Sequence, residues 1–301
     1  MPKPKTLDSL RTSNGSPGKL YLVATPIGNL EDITFRAVRL LKEVDLIACE
    51  DTRRTQQLLN HYGIKARTVS YHEHNELTRA PELIIQMEEG SRIALVSDAG
   101  MPVISDPGFR LVSLAIRHNI PVIPVPGASA FVAALAAAGL PVDKFRFLGF
   151  PPAKKLARRR ALEELRGSPK TVVFYEAPHR ALDMLEDIAQ VLGDVPVVVA
   201  REVTKVHEEF VRGSASEVLA RLKGNPVRGE ITVLVGPQTT PIKRSSARGT
   251  LRKEIEQVMQ DRRLDERAAL KVVARSRGIS RSDAYRQWQM EKSSRGGIDR
   301  G

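Results

Sequence analysis

The 301-residue sequence has one cysteine, Cys49, one tryptophan, Trp288, and only 5% aromatic residues. A single cysteine excludes a disulfide framework and a cysteine-based zinc site. Cys49 ends the run Leu46-Ile47-Ala48-Cys49 and reads as strand packing. No phosphate loop of the G-x-x-x-x-G-K type and no G-x-G-x-x-G fingerprint is present, so nothing argues for ATP or a nicotinamide cofactor. An apolar secretory leader is missing as well: residues 1–18 are polar, rich in Pro, Ser, Gly and Lys, and read as a disordered tail. Between residues 120 and 142 there is no charged side chain, but Pro121, Pro124, Pro126, Gly127, Gly139 and Pro141 interrupt the run. They leave 128–138 as helix, about 11 residues against the ~20 needed to span a bilayer. The expectation is a cytoplasmic protein without a membrane anchor.

What is present is apolar bulk and unevenly placed positive charge. A hydrophobic fraction of 42% supports real cores, and 301 residues suggest about two domains at ~150 residues each. The net charge is +12, with 16 basic and 8 acidic residues in 239–301 and 7 basic and 2 acidic in 154–170. Positive charge gathered in two patches is the footprint of a polyanion partner.

Apolar runs at 19–25, 44–48, 66–69, 93–96 and 122–125, each followed by a helical stretch, read as βαβ units on a parallel sheet. The first helix is expected from about Thr34, with Phe35, Val38 and Leu41 on its inner face. Strands resume at 145–149, 171–175, 196–201 and 231–235, and 147–152 marks the crossover into a second α/β domain. The division expected is a tail (1–18), an N-terminal α/β domain (19–140), a second α/β domain (141–238), a linker (239–250), a helical module (251–290) and a final tail (291–301).

The most informative stretch is L-V-S-D-A-G-M-P-V-I-S-D-P-G at 95–108. A buried strand empties there into a loop with two Gly, two Pro and two Asp, and open α/β sheets bind ligands at such strand ends. T-P-I-G-N-L at 25–30 and P-G-A-S-A at 126–130 are further Gly/Pro-marked strand ends, with Ser129 placed to cap a helix or meet a ligand. In the second half the matching ends are F-Y-E-A-P-H-R (174–180), A-R-E (200–202) and G-E-I-T (229–232). A cleft between the halves is the expected site. His72-Glu73-His74 has two histidines at spacing two and no third ligand nearby, too little for a metal site.

Together with C-E-D-T-R (49–53) and H-E-H-N (72–75), these segments resemble the signatures of the bacterial small-subunit ribosomal RNA methyltransferase I family, within the tetrapyrrole-methylase-like class. The resemblance runs from about residue 19 to 236. It implies two consecutive α/β domains with the ligand cleft between them, S-adenosylmethionine (SAM) as methyl donor, and a homodimer. The implied product is a 2′-O-methylated cytidine in the decoding region of small-subunit ribosomal RNA, with that RNA or the assembled subunit as partner. By motif position, SAM contacts fall on Pro26, Ile27, Gly100, Met101, Ile104, Ser129 and Ala130, then on Tyr175, Ala200, Gly229, Glu230 and Ile231. The Gly-Asp-Pro loop usual in tetrapyrrole methylases reads Gly100-Met101-Pro102, flanked by Asp98 and Asp106, which leaves open the carboxylate that serves the ligand.

A ribose hydroxyl is a weak nucleophile and gains from a positioned base. Glu50, Asp51, Asp106, Glu176 and Glu202, all at expected strand ends, are the candidates, and the sequence does not choose among them. Arg53, Arg54, Arg180 and Arg201 suit neighbouring phosphates, and Lys154, Lys155, Arg158 and Arg159 belong to a basic patch. Residues 273–286 look like the helix-turn-helix of Fis-type DNA-binding proteins. Ala274 sits at the helix crossing, Gly278 at the turn and Ser280 at a cap, with Asp265 capping the preceding helix. Arg277, Arg281 and Arg286 would face nucleic acid, with Tyr285 and Trp288 in the core. Two rival readings are a corrin or porphyrin C-methyltransferase on the same fold, and a nucleic-acid-binding ligand sensor.

Overall fold

Strand and helix alternate through the first half, in the computed structural model as in the sequence. β1 (Lys19–Val23), β2 (Leu46–Cys49), β3 (Thr68–Ser70), β4 (Arg92–Val96) and β5 (Val122–Val125) form one sheet of order β3-β2-β4-β1-β5, parallel throughout. α1 (Phe35–Glu43), α2 (Thr52–His61), α3 (Glu76–Glu88) and α4 (Phe109–Arg117) connect the strands, and α5 (Ala130–Ala137) follows β5. Because side chains alternate across a strand, a sheet covered on both faces needs apolar residues at every position. Ile93 and Leu95 accordingly join one core with Leu20, Leu46 and Ala48, while Ala94 and Val96 join another with Val23, Ile47 and Cys49.

The second half departs from the expected pattern. β6 (Phe145–Phe147), β7 (Thr171–Glu176), β8 (Pro196–Arg201), β9 (Glu209–Ser214) and β10 (Ile231–Val235) take the order β6-β7-β10-β8-β9. Only β6 and β7 are parallel; the other pairs are antiparallel. β9 has one buried residue, Val211, in six, and an edge strand with so little apolar content escapes a search for apolar runs. α6 (Lys155–Glu163), α7 (Ala181–Leu192) and α8 (Ala215–Lys223) complete this half. Val172, Phe174, Val197, Val199, Val233 and Val235 face α7 and α8, whereas Val173, Val198, Ala200 and Leu234 face Ile27, Ala134 and Leu135 of the first half. The shared core makes the two halves one compact unit, 1–239; residues 240–301 form the other.

The structure describes residues 18–224, 228–238, 251–262, 264–277 and 280–293, except some side chains beyond 251. The expected tail at 1–17 and the linker at 239–250 lie outside these, as does most of the final tail. Gly18 is not part of a loose tail: it is buried, and a Cβ there would lie 2.2 Å from the Met87 carbonyl oxygen. The inner face of α1 also needs correction. Thr34 caps this helix, Phe35 is almost wholly exposed, and Ala37, Leu40 and Leu41 are the buried residues.

The second unit holds α9 (Leu251–Arg262), α10 (Glu266–Arg277) and α11 (Arg281–Ser293) around a core of Ile255, Leu270, Val273, Ala274, Ala284 and Trp288. Asp265 accepts from the Ala268 amide (2.7 Å) and Ser280 from the Asp283 amide (3.1 Å), so both expected caps are present. Trp288 is buried and donates to Glu266. Tyr285, expected in the core, is 53% exposed: Ala284 and Trp288, four apart, already fill the inward stripe of α11. Gly278 and the side chains of Arg277 and Arg281 lie outside the described residues.

Candidate active site

The loops after β1, β4 and β5 meet at one edge of the parallel sheet. Thr25 and Gly100 exchange two backbone hydrogen bonds, of 2.9 and 3.0 Å, which tie the first loop to the second. Thr25 Oγ1 also donates to the Ser97 carbonyl. Gly100 has φ 80, and a Cβ there would stand 3.4 Å from Ile27 and 3.7 Å from the Ala128 carbonyl. The loop after β4 continues through Val103 (φ 78) and Ser105 (φ 63). A β-branched residue at positive φ is a true outlier, and such strain gathers at ligand sites, where the surroundings over-determine the backbone. From the other half, Tyr175 Oη accepts from the Phe131 amide at the start of α5 (3.3 Å).

These loops enclose a cavity of about 410 Å³, inside the ~300–1,000 Å³ range of small-molecule sites. Its charged lining is Glu50, Asp98, Asp106, Glu176 and Glu230 against one arginine, Arg54. The carboxylates differ in what they already hold. Asp98 accepts from the Asp51 amide (3.1 Å) and pairs with Arg54 (3.0 Å). Glu176 is fully buried; Oε1 takes Arg180 (2.6 Å) and the Ala177 amide (2.8 Å), while Oε2 is without a partner. Asp106 makes no ion pair among the described residues. Burial pushes its carboxyl up to about 6, with Glu50 and Asp98 adding to the rise and Ser97 opposing it. Glu50 is raised too, by burial first and then by Asp98. A carboxylate poised near neutral pH in a cavity is suited to take a proton.

Comparison with known proteins agrees with this geometry. The sequence profile of the tetrapyrrole (corrin/porphyrin) methylases matches residues 19–219, two thirds of the chain. The chain belongs to this family. It is 48% identical over 276 residues to a protein of Halalkalibacterium halodurans named ribosomal RNA small subunit methyltransferase I, covering 91% of this chain and 96% of that one. A Thermotoga maritima protein of the same name is 50% identical over 218 residues, which make up 72% of this chain and 98% of that one. Among solved structures, a cobalt precorrin-4 methyltransferase aligns with TM-score 0.55 at 20% identity, over 72% of this chain and 94% of that one. A Thermus thermophilus uroporphyrin-III C-methyltransferase in complex with S-adenosylhomocysteine aligns with TM-score 0.51 at 21% identity, over 73% and 98%.

In this member of the family, most cofactor residues expected from the sequence line the cavity: Ile27, Gly100, Met101, Ile104, Ser129, Ala130, Tyr175, Gly229, Glu230 and Ile231. Pro26 and Ala200 do not. Ala200 is wholly buried, its side chain committed to the core between the halves. Ser129 does not cap α5, which leaves its hydroxyl to the cavity. Among the candidate bases, Glu50, Asp106 and Glu176 line the cavity and the other two do not. Asp51 instead caps α2 and is held at about 2 by Arg53. Glu202 accepts from Lys205 (2.9 Å) and the Glu230 amide (2.8 Å), which keep its carboxyl low. Ala99 and Ser105, within the 95–108 loop, also line the cavity, as do Phe150 and Val203, which lie outside every segment expected to meet the ligand.

The expected RNA-facing residues divide sharply. Arg53 and Arg54 are largely exposed, and Lys154 and Lys155 are exposed as well. Arg158 corrects the sequence reading: it is 2% exposed and bound to the buried Asp187 at 2.7 Å, so it braces α6 against α7. Arg159 reaches the same carboxylate at 2.7 Å and also Gln190. Arg180 serves Glu176 and the Pro151 carbonyl, and Arg201 pairs with Glu209. Arg286 is exposed and paired with Asp283. A charge count cannot tell a guanidinium that serves the fold from one left for a ligand. Among the described residues, no group of three or more His, Cys, Asp or Glu is arranged to hold a metal, and no helix is long and apolar enough to cross a membrane.

Proposed function

We propose that the chain transfers a methyl group from SAM to the ribose 2′-hydroxyl of a cytidine in the decoding region of small-subunit ribosomal RNA, in the cytoplasm. The observation that carries this reading is the cavity lining of five carboxylates and one arginine, in a chain 48–50% identical to proteins named for ribosomal RNA methylation. SAM carries a sulfonium and an ammonium against one carboxylate, and an acidic, partly buried lining favours such a cation. When bound, it supplies a methyl group on a sulfur that leaves as a neutral thioether.

The protein's own part is positioning and proton management. Loops locked by the Thr25–Gly100 bonds present bare backbone and small side chains, which fixes a ligand for in-line displacement. Asp106, with no ion pair among the described residues and its carboxyl at about 6, accepts the hydroxyl proton. Arg54, in the cavity lining, and the exposed Arg53 next to it in the chain serve neighbouring phosphates. Lys154 and Lys155 extend the basic surface in the first unit, and the second unit, with its helix-turn-helix pattern, docks RNA. The 218-residue match that nearly spans the Thermotoga maritima protein leaves 83 residues of this chain without a counterpart there. This supports an accessory role for the second unit. A homodimer belongs to the same reading, and Val132, Val142 and Phe145, on or after α5, are exposed apolar side chains available to a second copy. Labelled methyl transfer from SAM tests the reading, with small ribosomal subunits, naked RNA and a tetrapyrrole precursor in parallel. Label in RNA supports it; label only in the tetrapyrrole, or SAM binding without transfer, refutes it.

A further inference from the structure

A row of aromatic rings leads to the cavity and ends in the open. Phe131 stacks on Phe147 (centroids 4.4 Å apart), Phe147 meets Tyr175 edge-on (5.0 Å), and Tyr175 meets Phe150 (5.6 Å). Phe131 and Phe147 pack in the core between the halves, and Tyr175 is half-buried; Phe150 is 60% exposed and still lines the cavity. Its backbone is clamped on both sides. Tyr175 donates its amide to the Gly149 carbonyl (2.9 Å), and Arg180 donates to the Pro151 carbonyl (3.2 Å) while fixed by Glu176. Gly149, at φ 60, makes the turn that presents the ring. An apolar ring held in place yet left in water is organised in advance for a flat partner.

We infer that Phe150 is the stacking platform for the base of the acceptor nucleotide; this rests on the RNA methyltransferase reading above. Two features favour a nucleobase of the incoming RNA over the adenine of the methyl donor. The ring is 60% exposed, open to an acceptor arriving from solvent, whereas Ile27, Gly100 and Ile231 of the same lining are buried. Four residues beyond it the exposed Lys154 and Lys155 open α6, with no side chain capping its first turn. Cationic side chains and free amides at a helix start attract phosphates. Aromatic faces bind bases with little regard to sequence, so Phe150 holds the base while the ribose hydroxyl meets Asp106.

The test compares Phe150→Ala, Phe150→Leu and Phe150→Tyr with the parent protein, in methyl transfer to small ribosomal subunits and in SAM affinity by calorimetry. Phe150 is exposed, so all three should fold, which melting curves check. The Ala and Leu variants should lose roughly 5- to 150-fold in kcat/KM for the subunit, the Tyr variant should stay within a few-fold, and SAM affinity should not move. Parental activity in the Leu variant would reduce Phe150 to apolar packing, and a parallel fall in SAM affinity would give the ring to the donor's adenine; either overturns the inference. Failure of the parent protein to methylate any RNA would overturn the reading beneath it instead.

Discussion

Replacing Asp106 by Asn keeps the shape of the side chain and removes its ability to take a proton. With its carboxyl at about 6, Asp106 is about nine-tenths ionised at pH 7, so the parent works close to its maximum there. General-base catalysis contributes ~10²–10⁴-fold, and kcat for methyl transfer in the Asp106→Asn variant should fall by that factor. SAM affinity should change little, because Glu50, Asp98, Glu176 and Glu230 still line the cavity. In the parent, activity should rise with pH through a midpoint near 6, and this limb should vanish with the side chain. The stability effect has the opposite sign. A carboxyl whose folded value is raised from 3.8 to about 6 weakens the fold as pH climbs through that window, by roughly 2–3 kcal/mol at pH 7. The Asn variant should therefore melt higher than the parent at pH 7 and show no such decline between pH 4 and 6. A variant that retains activity within tenfold, or keeps the limb near pH 6, would refute the assignment of Asp106 as base.

Gly100→Val forces a β-branched residue to φ 80 at a strain of roughly 1–2 kcal/mol, in the loop that closes on Thr25; calorimetry should find SAM binding lost. Arg158→Met leaves the buried Asp187 with Arg159 alone, and unfolding in urea should show a loss of about 3 kcal/mol with RNA affinity unchanged in the folded fraction. Ending the chain after residue 239 removes only the second compact unit, so SAM affinity should persist while binding to small ribosomal subunits weakens; equal subunit binding would contradict the docking role.

Much of this was legible in the sequence because the central strands of both sheets need apolar residues at nearly every position, which gives unbroken runs such as Ile93–Val96 and Ile231–Val235. The ligand loops were legible for a different reason: their Gly and Pro residues mark turns, and Gly suits the positive φ found at Gly100 and Gly229. What stayed hidden depends on partners distant in sequence. Nothing local separates Arg158, which finds Asp187 29 residues away, from Lys154, which stays in solvent. Likewise Asp51, Asp98 and Asp106 have similar surroundings in sequence, and only the fold shows that two are paired with arginines and the third is in no ion pair among the described residues. Strand direction in the second sheet was also beyond local pattern, since β7, β8 and β10 look alike whether parallel or antiparallel.

The most direct measurement is tritiated methyl transfer from SAM into isolated small ribosomal subunits, followed by alkaline hydrolysis of the RNA. A 2′-O-methyl group blocks cleavage of the adjoining phosphodiester, so the account predicts label in an alkali-resistant dinucleotide with cytidine at its 5′ side. Label released as a mononucleotide would place the methyl group on a base, and absence of label from RNA would remove the ribosomal substrate altogether; either result contradicts ribose methylation.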